Sequence, residues 1–153
     1  MNKNLCFVIM AVCTSAASAA ESPVQIVKSY MAAWNHHNAQ QAADYFSPEG
    51  VYYDASVGTP VTGKSAAEQQ VIAPFIQGVP DLQWKMVGEP VWNKTTVSFE
   101  WVFSGHNTGN WAGSPPTGKA IQFSGVSFIK LKKGKITYQG DYYDSATLSR
   151  ELK

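Results

Sequence analysis

The sequence predicts an α+β domain, and three observations carry that prediction. Apolar residues recur at helical spacing after residue 21 and again between residues 65 and 77. From Leu82 to Asp144 the pattern becomes alternation, as in strands with one face turned inward. Gly125 sits in the middle of the longest alternating run, where a curved sheet needs a bend or bulge. Helices first and strands after imply a helical layer on one face of a sheet. A curved sheet wrapped around a long N-terminal helix encloses a pocket open at one end.

The first element is not expected in the folded domain. Lys3, the apolar run Leu5 to Val12 and the small residues Ala17-Ser18-Ala19 read as a signal peptide over residues 1–20. The run is far short of the roughly 20 residues that span a bilayer, so no membrane insertion is expected after cleavage. Residues 21–153 form a single domain, secreted or periplasmic. Ser22 and Pro23 open a helix whose apolar stripe is Val24, Val27, Tyr30, Met31 and Trp34. A break at Asn35 to Asn38 precedes a shorter helix, Ala39 to Phe46, and Ser47 to Gly50 reads as a turn. Val51 to Asp54 is a short strand. A third helix runs from Ser65 to about Gln77, with Ser65 and Glu68 at capping-box spacing and Pro74 predicting a kink or an early end. Strands follow at Leu82 to Gly88, Pro90 to Gly105, Lys119 to Lys132 and Ile136 to Asp144, with breaks at Glu89-Pro90 and Asn93-Lys94 and a turn at Lys133-Gly134.

Composition excludes several classes of function. Cys6 and Cys13 both fall in the signal segment, so the mature domain has no disulfide, thiolate nucleophile or cysteine metal site. Without Lys3 the 12 basic residues become 11, equal to the 11 acidic ones. The one dense basic patch, Lys130, Lys132, Lys133 and Lys135, is a solvated hairpin tip rather than a nucleic-acid face. Five Trp, seven Tyr and seven Phe are enough to line a cavity for a small hydrophobic ligand.

Few motifs bear chemistry. Gly113 to Lys119 imitates a phosphate loop, but Ala120 stands where Ser or Thr is needed and a strand follows. His36 and His37 are adjacent and diverge on a helix, and His106 has no companion ligand nearby, so no metal site is expected. No Gly-x-Ser-x-Gly elbow is present. Carboxylates remain. Asp is a poor strand former, so Asp141 needs a reason, either an exposed edge or an inward catalytic position. Alternation groups Thr137, Gln139, Asp141 and Tyr143 on one face. Asp144 suits a cap for the turn that follows.

Taken together, Tyr30-Met31-Ala32-Ala33-Trp34-Asn35, Tyr53-Asp54, Gly63 to Ala66, Pro80-Asp81-Leu82, Gly105 to Gly109, Pro116 to Lys119, Phe123-Ser124-Gly125 and Gly134-Lys135-Ile136 resemble the SnoaL-like polyketide cyclase (ester cyclase) family. That family lies in the nuclear-transport-factor-two-like superfamily. The resemblance implies a cone-shaped, mostly antiparallel sheet around N-terminal helices, a homodimer formed through the sheet, and no cofactor. It implies intramolecular aldol cyclisation of a hydrophobic carbonyl compound with Asp141 as general acid/base. Tyr143, Gln139, His106 and Asn107 are the candidates for stabilising the enolate oxygen. Asp54, Tyr53, Trp34 and Trp101 complete the candidate substrate-binding set. This chain departs from the family pattern at His106, displaced by one position, at Tyr53, where a His is common, and at Gly140, where a missing Trp predicts a reshaped pocket. A non-catalytic binding domain for an apolar ligand is the alternative.

Overall fold

The computed structural model describes residues 21–111 and 114–153; the expected signal peptide lies outside the described residues. Helix α1, Pro23–Asn35, begins where Ser22 Oγ accepts the Gln25 N–H, and it buries Ile26, Val27, Tyr30, Met31, Ala33 and Trp34. Its end is set by His37, whose positive φ of 56° a helix cannot continue through. Asn38 caps a five-residue helix α2, Ala39–Ala43. Phe46 is not helical as expected. It opens β1, Phe46–Asp54, because its ring packs on Tyr30 and Tyr52 and its backbone pairs with Ile136. The expected turn at Ser47 to Gly50 is a bulge inside that strand, where the register against its neighbour slips.

After the short strand β2, Val61–Thr62, a helical run covers α3, Lys64–Ala67, a π-helical turn, Glu68–Ile72, and α4, Ala73–Gly78. The expected capping box does not form. Gly63 occupies the cap position with φ of 97°, and no side-chain cap bond is made. Nor does Pro74 end the helix. It lacks the N–H that the carbonyl four residues earlier needs, and the wider π turn just before it absorbs the mismatch, with Ala73 N–H reaching Glu68 O.

Four long strands follow: β3, Gln83–Trp92, β4, Thr96–His106, β5, Ala120–Lys132, and β6, Lys135–Tyr143. The sheet order is β2-β1-β6-β5-β4-β3, antiparallel except for the β1–β6 pair. Glu89-Pro90 does not break a strand. It forms a bulge in β3, an edge strand that tolerates Pro. The break expected at Asn93-Lys94 is present, and Lys133 and Gly134, both at positive φ, close the tight turn between β5 and β6. Asp144 caps α5, Ser145–Glu151, whose Glu151 accepts the Gln122 backbone N–H.

The result is a curved, unclosed sheet with α1 against β3 and β4 on its inner face. Inward side chains Val97, Phe99, Trp101 and Phe103 of β4 oppose Ile121, Phe123, Ser127, Ile129 and Leu131 of β5. At Gly125 an added Cβ would lie 2.5 Å from the Trp101 ring and 2.6 Å from both Tyr142 O and Tyr143 Cβ. Only glycine lets the rings of Trp101 and Tyr143 pack across that point, with centroids 6.0 Å apart. Thr137 does not join the inward face as alternation predicted. The register shifts between Lys130 and Leu131, which makes Thr137 the extra residue of a bulge and leaves Ile136 and Gln139 both buried. Among the described residues no helix is long and apolar enough to cross a membrane.

Candidate active site

Cross-strand register builds the site in rows. One row runs Phe99, Ser127, Asp141, Asp54 across β4, β5, β6 and β1. The row on one side is Val97, Ile129, Gln139, Tyr52, and on the other Trp101, Gly125, Tyr143. A sheet face that is otherwise apolar and aromatic thus carries two adjacent carboxylates, Asp54 and Asp141, only 6% and 7% exposed.

Four hydrogen bonds from three side chains hold the Asp141 carboxylate. Ser127 Oγ donates to Oδ1 at 2.5 Å, Tyr52 Oη donates to Oδ2 at 2.5 Å, and Gln139 Nε2 donates to both oxygens at 3.2 and 3.0 Å. Trp101 Nε1 in turn donates to Ser127 Oγ at 2.9 Å, fixing which way that hydroxyl points. Burial outweighs these donors. It pushes the Asp141 carboxyl up from 3.8 to about 6, with Ser127, Tyr52 and Gln139 pulling down and Asp54 adding a smaller upward push. Gln139 Oε1, facing away from the carboxylate, has no hydrogen-bond partner.

Asp54 is held differently. Its Oδ1 accepts from Ser56 N and Oγ in a tight local turn, and its Oδ2 accepts from Tyr143 Oη at 3.0 Å. Ser56 Oγ also meets Tyr143 Oη. Burial and the Asp54 carboxylate raise the Tyr143 pKa above its ordinary value, so this hydroxyl stays protonated at neutral pH.

Asp141, Asp54, Tyr52 and Tyr143 line one cavity together with Trp34, Phe75, Trp84, Trp101, Phe103 and Phe123. Its free space is about 20 Å³, room for roughly one or two waters. Asp54, Phe75 and Tyr143 also line a second chamber of about 460 Å³, open to solvent, between the 107–117 segment and α5. These three side chains are walls of both spaces.

The family model described as SnoaL-like polyketide cyclase matches residues 24–152. The chain belongs to the SnoaL-like polyketide cyclase family. Solved structures share its fold at low identity. A SnoaL-like polyketide cyclase from Agrobacterium tumefaciens is 18% identical with a TM-score of 0.70, the match covering 87% of this chain and 99% of that one. An NTF2-like protein from Burkholderia thailandensis is 15% identical with a TM-score of 0.72, covering 87% and 98%. A protein of ketosteroid isomerase-like fold from Catenulispora acidiphila, solved with trimethylamine, is 20% identical with a TM-score of 0.70, covering 86% and 94%. No curated protein matches the chain.

Around Asp141 the structure brings together Gln139, Tyr143, Asp54, Trp34 and Trp101; Tyr53, His106 and Asn107 lie apart from that cluster, Asn107 on the wall of the outer chamber. Tyr53 points to the opposite sheet face, where its ring meets Tyr142. His106 ends β4 in solvent, its Nδ1 2.7 Å from Asp81 Oδ2, too far round the strand to reach Asp141's cavity. Asn107 is buried, but its amide is spent on the loop: Nδ2 donates to Gly78 O and Gly109 O, and Oδ1 accepts from Thr117 N. Gly140 leaves the pocket unchanged, because it lies outward beside Tyr138 and Tyr142. Tyr52 and Ser127 went unassigned as site residues in the sequence reading. Parity was the available signal, since Tyr52 must share a face with Asp54 two residues on, and Ser127 lay in the inward register of β5.

Proposed function

We propose that this family member is an enzyme performing cofactor-independent acid/base chemistry on a hydrophobic carbonyl compound, with intramolecular aldol cyclisation as the reaction. The observation that carries the proposal is the Asp141 carboxylate, buried among aromatic rings and raised to about 6. A carboxylate at that position is a stronger base than one in water and ionises below neutral pH. It takes a proton from the carbon between two carbonyls, leaving an enolate. The enolate carbon attacks a second carbonyl of the same molecule, a C–C bond forms, and the new alkoxide takes the proton back from Asp141. The Tyr143 hydroxyl, on the wall the two chambers share, stabilises the enolate oxygen by turning its proton to it from Asp54 Oδ2.

The test is exchange of the acidic C–H of ethyl 2-methyl-3-oxobutanoate in D2O, followed by NMR. Acceleration by the wild type that disappears in Asp141→Asn supports the proposal; equal rates in both sink it. A second reading, a non-catalytic binder of an apolar ligand, draws on the narrow inner cavity and on the saturated hydrogen bonding of Asp141. Tight ligand binding with no exchange in either form would favour it. We also propose that the signal over residues 1–20 exports the protein. The outer sheet face, with Val126, Phe128 and Tyr142 exposed in adjacent strands, is then the surface on which a second copy pairs.

A further inference from the structure

The inner cavity and the outer chamber differ in size, and the difference bears on what binds. About 20 Å³ beside Asp141 cannot hold a ring or an alkyl chain. The outer chamber, at about 460 Å³, is within the usual range for a small-molecule pocket. Most of its wall area is apolar, from Val57 after β1, Phe75 on α4, Trp111 and Pro115, and Leu148 and Leu152, with hydroxyl and amide side chains and Lys153 making up the rest. Leu148 and Leu152, four residues apart, present one face to the chamber. At its two ends α5 is tied to β5, where the Asp144 N–H donates to Ser124 O and Glu151 accepts the Gln122 N–H, so the wall is held in place. On the wall shared with the inner cavity the polar groups are Asp54 Oδ2 and Tyr143 Oη, 3.0 Å apart.

We infer that the outer chamber is the binding site for the apolar body of a neutral, hydrophobic carbonyl compound. Only its oxygen-bearing end passes between Asp54, Tyr143 and Phe75 toward Asp141. The size and apolarity argument stands on the chambers alone; the direction in which the ligand points rests on the acid/base reading above. Val57, Leu148 and Leu152 are then the residues that set how long or wide the body is. Val57 is 68% exposed, so a larger side chain there extends over the chamber without displacing the core.

The probe is 6-propionyl-2-(dimethylamino)naphthalene, a neutral fluorescent naphthyl ketone, titrated into the full-length protein. Saturable binding with a blue-shifted emission is expected for the wild type. Val57→Trp fills the chamber from a solvent-exposed position without disturbing the core, and is expected to weaken binding at least tenfold. Val91→Trp, at a comparably exposed valine on the edge strand β3 and outside the chamber's lining, is expected to change affinity less than twofold. Absent saturable binding, unchanged affinity in Val57→Trp, or an equal loss in Val91→Trp would each overturn the assignment. No acceleration of proton exchange by the wild type, with this binding pattern intact, would instead defeat the acid/base reading and leave the chamber assigned.

Discussion

Replacing Asp141 by Asn should make the protein more stable at neutral pH, and less so as the pH falls. Raising a buried carboxyl from 3.8 to about 6 costs its ionised form about 3 kcal/mol relative to the unfolded chain. Because the folded pKa lies above the unfolded one, the native protein holds the extra proton between these values. Stability from this group is therefore fully present below pH 3.8 and is lost as the pH rises through about 6. An Asn side chain has the shape of the protonated acid and never charges. It brings a penalty of its own, because its NH2 faces donors, Gln139 Nε2 and either the Ser127 or the Tyr52 hydroxyl. That mismatch is the same at every pH. The difference in unfolding free energy, variant minus wild type, should thus shift in the variant's favour by about 3 kcal/mol between pH 3.5 and 7.5. Urea unfolding followed by tryptophan fluorescence at several pH values measures it, and all other titrating groups cancel in the difference. A gap that stays constant across that range refutes the burial argument and with it the elevated basicity of Asp141.

Three further outcomes follow from the same geometry. Tyr52→Phe removes a donor 2.5 Å from Asp141; a hydrogen bond to a charged group is worth about 1.5–3 kcal/mol, so the acidic limb of the activity or exchange profile should move up by about 1–2 pH units. A profile that moves down or stays in place counts against Tyr52 as a partner of the ionised form. Gly125→Ala places a methyl 2.6 Å from a backbone oxygen that cannot move aside, so a loss of about 1–3 kcal/mol is expected, with a change in near-UV circular dichroism as Trp101 and Tyr143 separate. Asn107→Ala strips two carbonyls and one N–H of partners; a loss of about 2–4 kcal/mol and faster proteolysis between residues 107 and 118 should result.

What the sequence made legible follows from where the sheet is covered. With helices on one face only, β4 and β5 alternate strictly, and their inward residues from Val97 to Phe103 and from Ile121 to Leu131 could be read by parity. Parity fails where a bulge inserts residues. Thr137, Ser47 to Gly50 and Gly88 to Pro90 are all bulges, and a bulge is set by the partner strand, about which local periodicity says nothing. Tyr53 and His106 went astray for a different reason. Both came from the position of a motif in the family, whereas parity already set Tyr53 opposite Asp54 and grouped His106 with Glu100, on the solvent side. The helix start at Gly63 was obscured by Ser65 and Glu68, whose capping-box spacing had no way to compete with a glycine able to adopt φ of 97°.

The rows explain why an ionisable group can persist at Asp141 at all. A buried carboxylate with no donors would cost several kcal/mol and be replaced readily by an apolar residue. Here the cost is limited by neighbours that register dictates: Ser127 from the same row, and Gln139 and Tyr52 from the next. Four polar residues gathered on one otherwise apolar sheet face, with Trp101 Nε1 spent on orienting one of them, lower the stability of the domain for no structural return. Such an arrangement is expected where burial is used to raise a base beside a cavity rather than in the packed core. Asp54 and Tyr143 line both Asp141's cavity and the larger space. The same cost that Asn would relieve at neutral pH is, on this account, the source of the reactivity.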